Sequence, residues 1–171
     1  MKAKIYETAK IIGTERFSIG KFSQIDDFVF LNAGQETIIG KFVHIASFSS
    51  IIGGGNFYME DFSGLSSGCR IITGSDDFSG GGLTNPTIPS KYVNVTTSTV
   101  TIGRHAILGT NVIVFPGVTI GEGAAVGAGC IVRKDLAPWT IYAGTNCKSV
   151  KSRKKEVILE MEKKLLREIE T

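Results

Sequence analysis

The sequence contains few side chains suited to proton transfer. It has two histidines in 171 residues, His44 and His105, and imidazole is the side chain whose ordinary pKa best suits a general base near neutral pH. Two adjacent carboxylates, Asp76 and Asp77, lie among small and polar residues, where a carboxylate can orient a substrate or accept a proton. These four are the candidate catalytic residues. The alternatives are ordinary surface histidines and an Asp-capped turn.

The cysteines and histidines do not fit a metal site. Cys69, Cys130 and Cys147 are an odd number and form no CxxC motif, which argues against both a disulfide framework and a cysteine-rich zinc site. Two histidines are too few to complete a three-histidine zinc site. The sequence therefore predicts no metal.

Positive charge is concentrated near the C-terminus. Residues 1–147 carry 11 basic and 11 acidic side chains, whereas residues 148–171 carry 8 basic and 5 acidic ones. Five basic residues fall within eight positions that contain no acid: Lys148, Lys151, Arg153, Lys154 and Lys155. We predict a phosphate group as their partner, the alternative being a solvated charge cluster that opens a helix. The rest of the chain has no basic stripe, so a nucleic acid partner is not expected.

The sequence has no feature of a membrane or secreted protein. No apolar run approaches the roughly 20 residues that span a bilayer. The start, MKAKIYETAK, lacks the apolar stretch and cleavage site of a secretory signal. We therefore expect no membrane span and a cytoplasmic location.

The elements that would position the candidate residues follow a six-residue repeat. A period of six is neither the two of a plain strand nor the 3.6 of a helix, so each unit must be a short strand plus a turn. Three units close a triangle, and triangles stacked at about 4.8 Å form an all-β parallel β-helix of about five coils. The repeated aliphatic positions are Ile19, Ile25, Leu31, Ile39, Ile45, Ile51, Met59, Leu65, Ile71, Ile102, Leu108, Val114, Ile120, Val126 and Val132.

The repeat is interrupted at only one edge of the triangle. The spacing is eight from Leu31 to Ile39 and thirty-one from Ile71 to Ile102. These interruptions lie between the third face of one coil and the first face of the next. A long loop over residues 73–99 therefore projects from a single edge, and loops of this length are usually functional or disordered. A function is favoured.

The chain divides into a β-helix domain, residues 1–152 including the loop, and a C-terminal helix, residues 153–171. Apolar residues at three- and four-residue spacing predict that this helix is amphipathic. We expect its apolar stripe to pack. The stripe consists of Val157, Ile158, Met161, Leu165 and Ile169.

A row of phenylalanines recurs at the fourth repeat position of the early coils, where side chains should not point inward. Exposed aromatic rows predict an oligomer interface. Packing beneath the N-terminal segment or the long loop is the alternative. The row consists of Phe22, Phe28, Phe42, Phe48 and Phe62.

Residues 101–144 carry the most specific motifs in the chain. Their sequence is TIGRHAILGTNVIVFPGVTIGEGAAVGAGCIVRKDLAPWTIYAG. The run of PGV-x-IG, VGAG and KDL-xP ahead of YAG resembles the hexapeptide-repeat acyltransferases, in the branch of maltose, galactoside and polysaccharide O-acetyltransferases. The resemblance covers roughly residues 19–152 and implies a left-handed β-helix.

The resemblance also implies a homotrimer that binds acetyl-coenzyme A as co-substrate in the groove between neighbouring copies. The pantetheine arm would run beside Gly127, Ala128 and Gly129, where small side chains permit close approach. Trp139 would border the adenine, the alternative being a cap over the last coil. The residues expected to meet the phosphates are Arg133, Lys134, Lys151, Lys154 and Lys155. Asn146 and Cys147 depart from the Pro-Ala pair that usually follows YAG in the family.

The activity implied is acetyl transfer from acetyl-coenzyme A to a carbohydrate hydroxyl, in cell-surface polysaccharide or sugar metabolism. N-acetylation of a nucleotide-linked amino sugar is the alternative, because an amine makes less demand on a base. A binding scaffold without activity is the non-enzyme alternative. The family's catalytic histidine comes from the segment corresponding to ITGSDDFSG, which has no histidine here. We therefore predict His44 first and His105 second as the base.

Overall fold

The computed structural model describes residues 2–170. Short strands from successive coils pair side by side in three long sheets, which we call faces A, B and C. Face A consists of Lys4–Ile5, Gln24–Ile25, His44–Ile45, Gly64–Leu65, Ile107–Leu108, Ala125–Val126, Thr140–Ala143 and Lys148–Ser152. Face B consists of Lys10–Ile12, Phe30–Asn32, Ser50–Ile52, Arg70–Ile72, Ile113–Val114 and Ile131–Val132. Face C consists of Phe17–Ile19, Thr37–Ile39, Phe57–Met59, Val100–Ile102 and Thr119–Ile120.

The interior is a set of ladders in which one apolar side chain per strand meets its equivalent in the next coil. On face A, Ile25 pairs with Ile45, and Leu65 pairs with Leu108. All four side chains are completely buried, and burial of each contributes about 1.5–3 kcal/mol. The strands pair in parallel except at the end of face A, where Lys148–Ser152 returns antiparallel. The prediction of a parallel β-helix built on the six-residue register is confirmed.

An additional coil precedes the five predicted from the repeat. Its strands, Lys4–Ile5 and Lys10–Ile12, pair with the strands at Gln24 and Phe30. The repeat search missed this coil because the register jumps from Ile11 to Ile19 and the coil packs on one side only. Ile5 is accordingly 43% exposed.

The turns between faces form three edges, which we name by the faces they join. The A–B edge comprises residues 6–9, 26–29, 46–49, 66–69, 109–112 and 127–130, and the turn 144–147, which joins two strands of face A, stacks on its end. The C–A edge comprises residues 20–23, 40–43, 60–63, 103–106, 121–124 and 137–139. The B–C edge carries the insertions, including short 3-10 turns at Thr14–Arg16 and Ser90–Tyr92.

The long loop projects from the B–C edge, as the sequence predicts, and has structure of its own. Strands Gly74–Asp76 and Val95–Thr97 pair antiparallel as the stem of a hairpin. The stem begins against the preceding coil, since a Cβ placed on Gly53 would lie 2.2 Å from the Gly74 nitrogen. Only glycine fits at Gly53, whose φ is +117°.

The phenylalanine row predicted from the repeat separates into two ladders on different edges. Phe22, Phe42 and Phe62 stack on the C–A edge with ring centroids 4.6–4.7 Å apart. Phe28 and Phe48 stack on the A–B edge at 5.3 Å and remain 58% and 60% exposed. All five residues have positive φ. A left-handed residue costs about 1–2 kcal/mol, and aromatic stacking contributes about 0.5–1.5 kcal/mol per pair against that cost.

The chain ends in one α-helix, Lys155–Glu170, which folds back along the C–A edge through the contact of Glu162 with Arg104. The stripe predicted to pack is wrong for the chain by itself. Its members Val157, Met161, Leu165 and Ile169 are 38–55% exposed. Glu162 is buried instead, because it is held by charged partners rather than by apolar contact. Within residues 2–170, no helix is both long and apolar enough to cross a bilayer.

We expect Leu65→Ala to reduce the free energy of unfolding by about 2–5 kcal/mol, because it leaves a cavity in a completely buried ladder. Urea denaturation followed by circular dichroism measures the change. The control is Ile52→Ala, which removes a 39% exposed side chain and should cost less than about 1 kcal/mol. Equal losses in the two variants would contradict the assigned register.

Candidate functional site

His44 lies on the outer surface of face A, paired with a carboxylate of the preceding coil. Its Nε2 is 2.9 Å from Asp26 Oδ2, and the ring is half exposed. Gln24 Nε2 donates to the other oxygen of Asp26 at 2.7 Å. Partial burial raises the pKa of Asp26, but the hydrogen bonds from Gln24 and His44 and the charge of His44 outweigh burial and leave the pKa lowered. The Asp26 carboxylate can therefore orient the imidazole of His44.

A cavity of about 420 Å³ opens beside His44. It exists because Gly64 occupies the position next to His44 in the face A ladder. The neighbouring Ile107 folds over that position, where a Cβ on Gly64 would lie 2.9 Å from Ile107 Cδ1. Hydroxyl side chains from two coils contribute to the lining: Ser63, Ser66, Ser67 and Thr110.

The side chains of the A–B edge become smaller from the early coils to the later ones. In the early coils it carries the exposed rings of Phe28 and Phe48. In the later coils its turns read SSGC, GTNV, GAGC and GTNC, so the bulky rings are absent. At about 4.8 Å per coil, these four turns stack into a strip of small side chains roughly 15 Å long, which we call the trough. The predicted pantetheine contacts Gly127, Ala128 and Gly129 lie in it.

Asp76 and Asp77 sit on the hairpin of the B–C edge and differ in their hydrogen bonding. Asp77 accepts from the amides of Ser79 and Gly81 at 2.8 and 3.0 Å and from Asn94 Nδ2 at 3.2 Å. Hydrogen bonds from the Ser79 hydroxyl and amide are the main cause of the lowered pKa of Asp77. Asp77 thus shapes the hairpin, which matches the alternative of an Asp-capped turn.

The Asp76 carboxylate has no hydrogen-bond or ion-pair partner among the residues that the structure describes. It lines a cavity of about 360 Å³ enclosed by the hairpin and the loop. Gly53 and Gly74 form the floor of this cavity, and Asn85 and Ser90 provide polar groups on the loop side. Asp76 is therefore the candidate carboxylate that is free to meet a substrate.

His105 is buried on the C–A edge and continues the phenylalanine ladder. Its ring stacks on Phe62 at 5.1 Å, and its Nε2 is 2.8 Å from Glu162 Oε2. Burial is the main cause of the lowered pKa of His105, assisted by the charges of Arg104 and Arg153 and opposed by Glu122. The neutral ring therefore donates its Nε2–H to the Glu162 carboxylate. This position leaves no room for a reacting group at Nε2.

Apart from the residues of the trough, the predicted donor-binding residues lie in three places at the end of the β-helix. Arg133 and Lys134 line a cavity of about 200 Å³ at the end of face B. Lys151 and Lys154 line a larger one, about 490 Å³, whose other members include Ile141, Val157 and Ile158.

Trp139 and Lys155 contact each other on the C–A edge, with Lys155 Nζ 5.5 Å from the Trp139 ring centre. Trp139 packs over Gly123, where a Cβ would lie 2.4 Å from Trp139 Cδ2. Trp139 also lies 6.1 Å from the His105 ring. The contacts match the alternative of a cap over the last coil.

Sequence reasoning missed Asp26 and Glu162, and it assigned Arg153 to the general basic cluster. Asp26 precedes His44 by 18 positions, close to the length of one coil, so coil arithmetic could have paired them. Glu162 had no such signal, because the path of the helix depends on tertiary contacts. Arg153 donates to the carbonyl oxygens of His105 and Gly123 at 2.7 and 3.0 Å and fixes the chain ahead of the helix.

The candidate residues do not form one site within a single chain. His44 and the trough lie on face A and the A–B edge, whereas Asp76 lies beyond the B–C edge. His105 lies on the remaining C–A edge. A site that uses Asp76 together with the trough would have to form between copies.

Comparison with known proteins gives a family match and two groups of relatives. Residues 99–134 match the family model described as the hexapeptide repeat of succinyl-transferase. The chain is 39% identical over 160 residues to dTDP-4-amino-4,6-dideoxy-D-glucose acyltransferase from Escherichia coli, covering 93% of this chain and 83% of the relative. Galactoside O-acetyltransferase from E. coli strain K12 is 42% identical over 52 residues, which is 30% of this chain and 26% of that protein.

Among solved structures, too, this chain is more similar to an N-acyltransferase than to a sugar O-acetyltransferase. AntD, an N-acyltransferase from Bacillus cereus solved with dTDP and 3-hydroxybutyryl-CoA, superposes with a TM-score of 0.90 at 39% identity, covering 98% of this chain and 88% of that one. A maltose O-acetyltransferase from Clostridium difficile 630 superposes with a TM-score of 0.71 at 23% identity, covering 83% and 73% of the two chains. The second likeness concerns the fold alone.

Proposed function

The chain belongs to the hexapeptide-repeat acyltransferase family, and we propose that it transfers an acyl group from coenzyme A to the amino group of a nucleotide-linked amino sugar. The observation that carries this proposal is the 39% identity with a dTDP-amino sugar acyltransferase across 93% of the chain. Likeness to the galactoside enzyme extends over 30% of the chain. The amine acceptor, which the sequence left as the alternative, is therefore better supported than the hydroxyl.

The reaction requires three things of the protein. The amine nitrogen attacks the thioester carbonyl, the new C–N bond forms, and the C–S bond breaks as the thiolate leaves. A base must take one amine proton, donors must stabilise the developing oxyanion, and the reactants must be held in contact. The proton held by the base can then pass to the departing sulfur.

We assign the base to Asp76. Its carboxylate is unpaired among the described residues, borders a cavity of about 360 Å³, and extends from a hairpin stem fixed by its neighbour Asp77. The B. cereus enzyme has been solved as variants of one serine and of one aspartate ten positions later. This chain has Ser66 ten positions before Asp76 and Ser67 ten before Asp77, which supports the assignment to this segment.

A sugar hydroxyl is the second candidate acceptor, and one specific observation favours it. A hydroxyl needs a stronger base, and the His44–Asp26 pair at 2.9 Å beside a hydroxyl-lined cavity is suited to that demand. His105, the second choice from the sequence, is hydrogen-bonded to Glu162, so we assign it a structural role.

The donor is proposed to lie along the A–B trough, with Gly127, Ala128 and Gly129 beside its pantetheine arm. Lys151 and Lys154 would bind its phosphates at the larger end cavity, where apolar side chains can contact the adenine. Arg133 and Lys134 would flank the other side of the trough. We leave Trp139 and Lys155 out of the donor site, because each is engaged by the other.

We propose that the active enzyme is a homotrimer with its sites between copies. Asp76 and the trough are on different sides of one chain, so a neighbour must bring them together. The rings of Phe28 and Phe48, 58% and 60% exposed, offer an apolar surface for that contact. Three free, buried cysteines fit a reducing compartment such as the cytoplasm.

An acceptor panel tests the proposed function. The purified protein is incubated with acetyl-coenzyme A and with free, nucleotide-linked and amino sugars, and products are identified by mass spectrometry. We expect a gain of one acetyl group on a nucleotide-linked amino sugar. A gain on hydroxyl sugars alone would transfer the assignment to O-acetylation. Calorimetry that detects no coenzyme A binding would favour a scaffold.

Asp76→Asn should lower turnover of the amine acceptor at least about a hundredfold, because the carboxamide cannot accept the proton. Initial rates at saturating donor measure it, and donor affinity should change little. Asp77→Asn is the control for hairpin shape, and His44→Ala is the control for the rival base. A hundredfold loss in His44→Ala with near-normal turnover in Asp76→Asn would reverse the roles.

Lys154→Ala should weaken coenzyme A more than dephospho-coenzyme A, because Lys154 lines the proposed phosphate cavity. Isothermal titration calorimetry with the two ligands measures the difference. Lys155→Ala is the matched control, since Lys155 already contacts Trp139 and should affect both ligands alike. Equal weakening by Lys154→Ala would show that this lysine does not read the 3′-phosphate.

A further inference from the structure

Glu162 is a buried carboxylate on a helix whose other charged side chains, as far as residue 168, lie at the surface. Its side chain is 8% exposed, although it belongs to the terminal helix Lys155–Glu170. One oxygen forms an ion pair with Arg104 Nη2, and the other accepts from His105 Nε2 at 2.8 Å. Burying a carboxylate is unfavourable unless it is paired and hydrogen-bonded. Both of its oxygens meet that condition here.

The partners of Glu162 are themselves held by contacts on the C–A edge. Arg104 also lies over the Phe62 ring at 5.3 Å, and the His105 ring stacks on Phe62 and lies tilted against Trp139. The Arg104 amide donates to Glu60 Oε2 at 2.8 Å, which ties it to the coil below. Glu162 therefore docks onto side chains that are themselves fixed.

Arg153 holds the same edge from the other end of the segment. Its backbone amide donates to the Trp139 carbonyl at 2.7 Å, and its guanidinium donates to the carbonyl of His105. Arg153 thus binds the backbone carbonyl of His105, and Glu162 binds its ring. Lys154 follows Arg153 directly, and the helix begins one residue later. The location of Lys154 therefore depends on the contacts of Arg153 and Glu162.

From this arrangement we propose that Glu162 is a positioning residue for the donor site. By locking the helix against Arg104 and His105, it holds Lys154, Val157 and Ile158 around the cavity in which Lys151 also lies. It touches no substrate itself. The proposal rests on the proposed function, because it assumes that this cavity receives the phosphorylated end of coenzyme A.

The helix provides a matched control. Glu160 is the same residue type two positions away, but it is exposed and, among the described residues, pairs only with Lys164, at 2.9 Å. An exposed i,i+4 pair contributes little to stability. Removal of Glu160 changes the charge of the helix by the same amount without touching the edge, so any difference between the two variants reports the buried anchor.

The test compares Glu162→Ala, Glu162→Gln and Glu160→Ala. Coenzyme A and dephospho-coenzyme A affinities are measured by calorimetry, and hydrogen exchange of the helix amides is followed by mass spectrometry. We expect Glu162→Ala to weaken coenzyme A at least about tenfold, to weaken dephospho-coenzyme A much less, and to speed helix exchange. Glu162→Gln should recover part of the affinity, since its carbonyl can still accept from His105. Glu160→Ala should match the unaltered protein.

The outcomes separate this proposal from the proposed function. If the unaltered protein binds neither ligand, the donor assignment falls and this proposal falls with it. If it binds coenzyme A but Glu162→Ala speeds helix exchange without changing the affinity, Glu162 is structural only and the proposal is overturned while the function stands. Equal weakening of the two ligands would also overturn it. Where Glu162→Ala fails to fold, the same comparison is made with Glu162→Gln.

Discussion

Backbone pairing between successive coils is the constraint on which the rest of this structure depends. Each strand donates and accepts along its length with the strand one coil above and one coil below, so the spacing between coils is held near 4.8 Å. Side chains at equivalent positions must then stack on one another. Inward positions become ladders of completely buried aliphatic residues such as Ile45 and Leu65. Outward-facing side chains at equivalent positions form columns. An insertion or an unusual side chain in one coil continues into the next coil only where that coil has the same feature.

The three edges share one backbone geometry and differ in the side chains that stack on them. The C–A edge is filled by an aromatic column that ends at His105 and Trp139, and the helix covers it. The A–B edge changes from exposed phenylalanines to serine, glycine and alanine, which form the trough. The B–C edge carries the hairpin with Asp76. The trough and Asp76 lie on different edges, and the proposal of catalysis between copies rests on that separation.

The two ends of the proposed donor site differ in charge. Along the trough the groups expected to contact the donor are backbone and small side chains, which offer close approach rather than charge. Basic residues are concentrated at the end of the β-helix, and they differ in what they contact. Arg153 donates to two backbone carbonyl oxygens and also borders the cavity lined by Lys151 and Lys154, whereas Lys155 lies over the Trp139 ring. A cluster that looks uniform in the sequence therefore contains side chains held by backbone or ring contacts and side chains that border a cavity.

The sequence by itself determined the β-helix, its register and the position of the long loop, because each coil repeats the same demand for a small or aliphatic residue every six positions. It also located the two aspartates and the basic segment. It did not distinguish Asp76 from Asp77, since their difference lies in hydrogen bonds with Ser79, Gly81 and Asn94. Nor did it show that His105 is buried beneath a helix 57 positions away along the chain. Those facts depend on where the loop and the helix fold back, and such non-repeating contacts leave no period in the sequence.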